Sequence, residues 1–301
     1  MADALVVGSG LIGSSILAHH ARGGHAERTV VDWDDQAAEQ SLAEQARVFA
    51  ALRDEWTVYW AAGRARADSD EDTVARESRL FRSMLVALCD MSIRRRGSVV
   101  LVSSGGGIQA KDRSAGPLEF QRVTPYAVAK LHQERLLSDF VAETGHFGAV
   151  ARVTNVYGYR PDGRPGSGLT GVLCRAALLG ETCDITVPLE TTRNYVFARD
   201  VGSIMVDVVA AHGPAAPSQL ASFLVAGPTD HSIREHIALV ERLTGRTVRY
   251  RATVDESAGE TPRADTHLGA FVPQETRGRT SFEQGIRETL MHAFGFSAGG
   301  G

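Results

Sequence analysis

Tyr126 and Lys130 are the residues whose types and spacing point most directly to proton-transfer chemistry. Thr124 suits a helix N-cap and Pro125 a first helical position, so the spacing predicts a helix running through Leu131, Leu136, Leu137, Phe140 and Val141 to Gly145. Tyr126 and Lys130 then lie one turn apart on one face. A phenol has a reference pKa of about 10, too high for a base at neutral pH, and a neighbouring ammonium favours the phenolate. The pair could therefore exchange a proton with a substrate oxygen. Composition adds weight: of 32 Lys and Arg, only Lys111 and Lys130 are lysines, so with six tyrosines a chance Tyr-x-x-x-Lys is rare.

The second chemical pattern is Gly8-Ser9-Gly10-Leu11-Ile12-Gly13, between the apolar run Ala4–Val7 and a helix through Ile16, Leu17 and His20. With strand before and helix after, the first two glycines allow a tight turn and close approach to a pyrophosphate. The third lets helix and strand pack, and the helix N-terminus faces the negative charge. Thr29-Val30-Val31-Asp32 reads as a second strand ending in an acid, placed to accept hydrogen bonds from the adenosine ribose and to repel a 2′-phosphate. That favours NAD over NADP.

Further elements must bring these two patterns together. A helix over 36–53 leads to the strand Trp56–Trp60 and the small-residue turn Ala61-Ala62-Gly63, which lets a cofactor lie close to the backbone. A helix over 73–93 follows, with Arg94-Arg95-Arg96 read as its solvated C-terminal end. The strand Ser98–Val102 delivers Ser103 and Ser104 to the same sheet edge, and a polar loop over 108–123 precedes the Tyr126 helix. Beyond it come a strand over 148–153, the segment 154–158, a Gly/Pro-rich loop over 158–168, a helix over 169–179 and a strand over 191–197. Asp200 reads as the N-cap of a helix over 201–211, followed by a strand over 223–227 and helices over 232–244 and 281–292, with 246–280 unassigned.

The chain is thus expected to be α/β: a Rossmann-type doubly wound parallel sheet with a smaller, interleaved C-terminal substrate lobe. Residues 1–155 would carry the dinucleotide site and catalytic residues, and 156–301 mainly the substrate lobe, with some segments returning to the core. At 301 residues and 43% hydrophobic, it can bury a sizeable core. The net charge of −4, with both signs interspersed, argues against nucleic acid or an anionic membrane as partner. Three scattered cysteines, no basic leader and no apolar run of membrane-spanning length point to a cytoplasmic protein, and the ten histidines show no metal-ligand spacing.

With these motifs, the chain resembles the extended short-chain dehydrogenase/reductase family, in particular its nucleotide-sugar epimerases and reductases. The anchors are Gly8 to Gly13, Ala61-Ala62, Ser103-Ser104-Gly105-Gly106, Tyr126-x-x-x-Lys130, Asn155-Val156-Tyr157-Gly158 and Arg193-Asn194-Tyr195-Val196. The resemblance implies Tyr126 as acid/base, Lys130 as the group that holds the nicotinamide ribose and tunes Tyr126, and Ser104 as hydrogen-bond partner of the reacting oxygen. It implies an NAD site from Gly8, Gly10, Leu11, Ile12, Gly13, Asp32, Trp33, Ala61, Ala62, Gly63, Tyr126, Lys130, Val153, Asn155 and Val156. Ser103 stands with them, chiefly as strand packing. Ser104, Gly105, Gly106, Tyr126, Asn155 and Arg193 would meet the substrate. Helices 73–93 and 125–144 are those that pair in the family's dimers, so a homodimer is expected.

Four departures stand out. There is room for only one helix between Asp32 and the Trp60 strand where the family usually adds a strand. Glu77 stands where an Asn is common, and Ile108-Gln109 replace the usual Tyr-Gly after the serine. A late Arg-x-Gly-Asp segment is missing, with Arg249, Arg251 and Arg263 as candidate substitutes. The resemblance favours an NAD-dependent epimerase of a nucleotide-activated sugar: Tyr126 takes a hydroxyl proton, hydride passes to NAD, and it returns to the other face of the keto sugar. The alternative is an NAD(H)-dependent keto-sugar reductase or dehydrogenase using the same residues, and a non-catalytic dinucleotide sensor is a more remote reading. A dehydratase fits less well, because Gly105-Gly106 stand where an Asp-Glu pair would be needed.

Overall fold

The computed structural model describes residues 2–65, 69–89, 96–105, 125–160, 162–166, 168–213, 219–253 and 277–296. The first half alternates strand and helix: β1 (Asp3–Val7), α1 (Leu11–His20), β2 (Ala26–Thr29), α2 (Ala38–Ala51), β3 (Glu55–Trp60), α3 (Glu71–Cys89), β4 (Arg96–Ser104), α4 (Pro125–Thr144) and β5 (Phe147–Val153). The second half adds β6 (Asn155–Tyr157), α5 (Leu169–Leu179), β7 (Thr182–Ile185), β8 (Thr192–Phe197), α6 (Ala198–His212), β9 (Leu220–Val225), β10 (Asp230–Ser232), α7 (Ile233–Thr244), β11 (Arg249–Ala252) and α8 (Phe282–Phe294).

Six strands form one parallel sheet in the order β2-β1-β3-β4-β5-β9. Strands buried on both faces read as near-continuous apolar runs, as the middles of β1, β3, β4 and β5 do. Leu5, Val7, Trp56, Val58, Val99 and Leu101 point into the layer of α2, α3 and α4. Ala4, Val6, Tyr59, Val100, Ala149 and Ala151 point into the layer of α1 and α6. The strand order reverses between β1 and β3, and the crevice at the carboxyl ends of such strands is where this architecture binds ligands. A third core joins α5, α7 and α8 to Ile185 of β7 and Tyr195 and Phe197 of β8. There β8 lies between β10 and β6, and β7 pairs with β11.

The α/β expectation is met, and several boundaries are corrected. β2 ends at Thr29 rather than at Asp32: Gly8 N–H takes the Thr29 carbonyl at 2.8 Å as β1 turns away, and Val30 is left 59% exposed. Only α2 separates β2 from β3, so β2 is the sheet's edge. Arg96 opens β4 instead of closing a helix, its N–H bonded to Asp54 O at 2.8 Å, while Arg94 and Arg95 lie outside the described residues. Asp200 is not a cap. α6 starts at Ala198, and the Asp200 carboxylate accepts from Thr280 N and Oγ1 at 2.8 and 2.9 Å, tying the segment before α8 to the core. The short strands β7, β10 and β11 were not anticipated. No helix among the described residues is long and apolar enough to cross a membrane.

Candidate active site

At the carboxyl end of β1, Gly8 adopts φ +114°, and a Cβ there would stand 2.6 Å from the Ala61 carbonyl oxygen. A Cβ on Gly13 would stand 2.3 Å from Gly8 O, so the first turn of α1 lies directly on the strand end. Gly10, the N-cap of α1, has nothing within 4 Å of its Cβ position. No side chain caps α1 and no acid lies in its first turn, so its N–H groups and positive dipole end face open space. That is a cradle shaped for an anionic pyrophosphate, and the residues fit a dinucleotide. Leu11 and Ile12 are half-buried beside it. Asp32 is exposed, three residues past β2, and its Oδ1 accepts from Asp34 N at 3.1 Å. Trp33 packs against the core beneath α2 and α3. Ala61 and the buried Ala62 close the crevice from β3, with Gly63 exposed beyond them.

Tyr126 is half-buried in the first turn of α4, and the Lys130 ammonium lies 5.7 Å from its ring centroid. Lys130 is buried, and its Nζ donates to Glu77 Oε1 of α3 at 2.6 Å and to Gln133 Oε1 at 3.2 Å. Gln133 Nε2 in turn donates to Glu77 Oε1 at 3.3 Å. The other oxygen, Glu77 Oε2, accepts from Ala65 N at 3.3 Å and stands 3.4 Å from the Cβ position of Gly63. One carboxylate thus joins the lysine to the turn after β3.

Ser103 and Ser104 end β4 beside Arg152 and Val153 of β5. The Ser103 hydroxyl is buried and donates to Glu134 Oε1 at 2.6 Å, while Arg152 grips both Glu134 oxygens at 3.0 and 2.6 Å. Ser103 is thereby committed to a structural network, and Val153 is core packing between the sheet and α6. Ser104 remains half-buried at the edge, and Gly105 N–H bonds Val153 O at 2.8 Å. Gly106, Thr124 and the Ile108-Gln109 pair lie outside the described residues.

Two residues past β5, Asn155 enters the rim of a cavity of about 340 Å³ shared by Val156, Leu169, Thr170, Ile185, Val187, Arg193 and Tyr195. Asn155 Nδ2 donates to Asn194 O at 2.8 Å. Arg193 is half-buried, paired through its backbone with β10, and its guanidinium makes no hydrogen bond or ion pair with a described residue, so it is available to an anion. The buried Thr170 hydroxyl and Tyr195 phenol also lack partners among the described residues, and burial pushes Tyr195 up to about 12. Arg251 is spent on Asp184 at 2.8 Å, Arg249 lies on the exposed β11, and Arg263 falls outside the described residues.

Sequence reasoning names Asn194 only within the Arg193–Val196 anchor and gives it no role, yet it organises this rim. Its Oδ1 accepts from Gly227 N at 2.7 Å and Thr154 Oγ1 at 2.8 Å, and its Nδ2 donates to Asp230 Oδ1 at 2.8 Å. An amide in the middle of a β-branched and aromatic run goes against strand preference, and that was the available signal. The Glu134–Arg152 pair was also missed, because nothing in the sequence brings those two positions together.

The family model described as the NAD dependent epimerase/dehydratase family matches residues 4–218. No curated protein matches the sequence. Among solved structures, a UDP-glucose 4-epimerase from Thermotoga maritima with UDP-glucose is 22% identical, covering 96% of this chain and 98% of its own at a TM-score of 0.72. A UDP-glucose 4-epimerase from Thermus thermophilus in complex with NAD is 19% identical over 98% of this chain and 100% of its own, at 0.71. A UDP-glucuronic acid 4-epimerase from Bacillus cereus in complex with UDP-glucuronic acid and NAD is 16% identical over 97% and 99%, at 0.75. At these identities the likeness speaks for the fold.

Proposed function

The chain belongs to the NAD-dependent epimerase/dehydratase family, and from that premise we propose that it epimerises a carbon of a nucleotide-activated sugar. The observation that carries this reading is that three features share one end of the fold. Tyr126 and Lys130, the open N-terminus of α1, and the Asn155–Arg193 cavity all stand at the carboxyl ends of the parallel strands.

Bound NAD would supply a reversible hydride acceptor, cradled by Gly8 to Gly13 and bordered by Ala61 to Gly63. Tyr126 takes the proton from the sugar hydroxyl and later returns it, Lys130 biases that phenol, and Ser104 orients the reacting oxygen. Arg193 pairs with the diphosphate, since a guanidinium fork matches anionic oxygens, and Asn155 shapes the rim. Inversion requires the oxidised sugar to present its other face before its carbonyl carbon is reduced again, so the nucleotide must be anchored more firmly than the sugar. In this reading the Asn155–Arg193 cavity is that anchor. The structures from Thermotoga maritima and Bacillus cereus hold UDP-glucose and UDP-glucuronic acid, which makes UDP-glucose the first substrate to test.

The test is Tyr126→Phe, assayed with UDP-glucose and NAD alongside calorimetric NAD binding. Turnover should fall by about 10² to 10⁴ with NAD binding kept, the range for losing a positioned acid/base. Turnover within tenfold of wild type refutes the assignment. We also read the exposed groove of α3 and α4, with Val128 51% and Val86 59% exposed, as a self-association face. Sedimentation as a monomer would contradict that.

A further inference from the structure

We propose that Glu77 is a positioning residue that keeps the Tyr126–Lys130 pair holding its proton, by neutralising the lysine from within the fold. The inference rests on the reading of Tyr126 and Lys130 as the acid/base pair and says how this chain sets it.

The argument starts from burial. The Lys130 and Glu77 side chains are 9% and 2% exposed and their charges are 2.6 Å apart. At that depth each charge is balanced by the other, so the two act as a single neutral unit. Gln133 bonds both partners, and Ala65 N–H fixes the far carboxylate oxygen. The unit is therefore held in one geometry by α3, α4 and the turn after β3.

The consequence for Tyr126 is one of charge counting. With Glu77 ionised, the cluster of Glu77, Lys130 and phenol is neutral, and losing a proton leaves a net negative charge in a half-buried site. With an uncharged residue at 77 the cluster starts at +1, and the same proton loss leaves a neutral zwitterion. The proton then belongs to the Tyr126–Lys130 pair as a whole, and the pair gives it up at lower pH without the carboxylate. The neighbouring charges do not disturb this count. Glu134 of α4 is matched by Arg152 of β5, Arg64 after β3 is matched by Asp34, and His132 faces the outer groove between α3 and α4. Glu77 thus weights the site toward its proton-donating form, the form that delivers a proton to a carbonyl oxygen. An amide here, common in the resembled family, exerts no such bias.

The test needs neither substrate nor cofactor, so it can fail or succeed independently of the epimerase reading. The ionised-tyrosine absorbance of Glu77→Gln is titrated against pH as the difference from Glu77→Gln/Tyr126→Phe, and the wild type as the difference from Tyr126→Phe. The Glu77→Gln curve should move to lower pH by about one unit or more, a tenfold change in proton affinity. Glu77→Asp, which keeps the charge, should titrate like the wild type. Coincident Gln and wild-type curves, or a Gln curve at higher pH, overturn the proposal. Should Glu77→Gln not fold, Glu77→Asn takes its place against the wild type, each read as the difference from its Tyr126→Phe counterpart. The carboxylate-free protein should again ionise at lower pH, and coincidence of the two refutes the role.

Discussion

Replacing Asn194 by Ala tests whether one buried amide holds the substrate lobe to the sheet. The side chain is 5% exposed and joins β8 to the 227–230 segment and to Thr154 at the end of β5. Thr154 Oγ1 keeps an alternative acceptor in Val225 O at 3.3 Å, and Asp230 is exposed enough to turn to water. Gly227 has no such recourse. Its N–H is buried, and the chain there runs so close to β8 that a Cβ on Gly227 would lie 1.9 Å from Tyr195 O, leaving no room for water from that side. An orphaned buried donor costs about 1–3 kcal/mol, and the lost bonds to Asp230 and Thr154 add roughly 1 kcal/mol. The expected loss is therefore about 2–4 kcal/mol, which urea denaturation would read as a lower midpoint at unchanged slope. Because Asn155 Nδ2 bonds the Asn194 carbonyl, the KM for a UDP-sugar should rise as well. A loss below about 1 kcal/mol with unchanged KM would refute this account of the rim.

Gly13→Ala places a methyl 2.3 Å from Gly8 O, so overpacking of about 1–3 kcal/mol should separate α1 from β1 and weaken NAD binding at least tenfold by calorimetry; wild-type affinity would contradict the cradle. Arg193→Met keeps the aliphatic stem and removes the guanidinium, which should weaken UDP binding by roughly tenfold or more while leaving the melting temperature unchanged, and equal affinity would remove Arg193 from the diphosphate site. Stability should also fall in acid. His236 is fully buried against Tyr195 and Phe282 with neither ring nitrogen bonded to a described residue, and burial pushes it down to about 3. The unfolded chain takes up that proton near pH 6.5, so stability is complete above that value and declines as pH falls toward 3, by roughly 1.4 kcal/mol per unit. His20 and His146, also lowered by burial, act with the same sign. The urea midpoint at pH 5 should lie below that at pH 7, and His236→Leu should flatten the difference; an equal slope in that variant would discount His236.

Sequence alone determined the elements whose signals are local. The strand–glycine–helix pattern at 4–20, the buried apolar runs of β3 to β5, and the helix at 169–179 between Gly168 and Gly180 all carry their start, period and stop within themselves. Tyr126 and Lys130 were legible for the same reason, since helical spacing alone puts them on one face. Tertiary structure decided everything that depends on a distant partner. β7 and β11 are four residues each and become strands only against one another, across more than sixty residues of chain. Asp200 looks like a helix cap until Thr280 arrives to claim it. Ser103, a cofactor candidate by position, donates its hydroxyl to Glu134, which Arg152 holds. Glu77 was visible as an unusual residue, but its meaning came only when α3 packed against α4 and drove its carboxylate onto Lys130. A buried charge or amide must find its partner wherever the fold brings one, and sequence separation carries no information about that meeting.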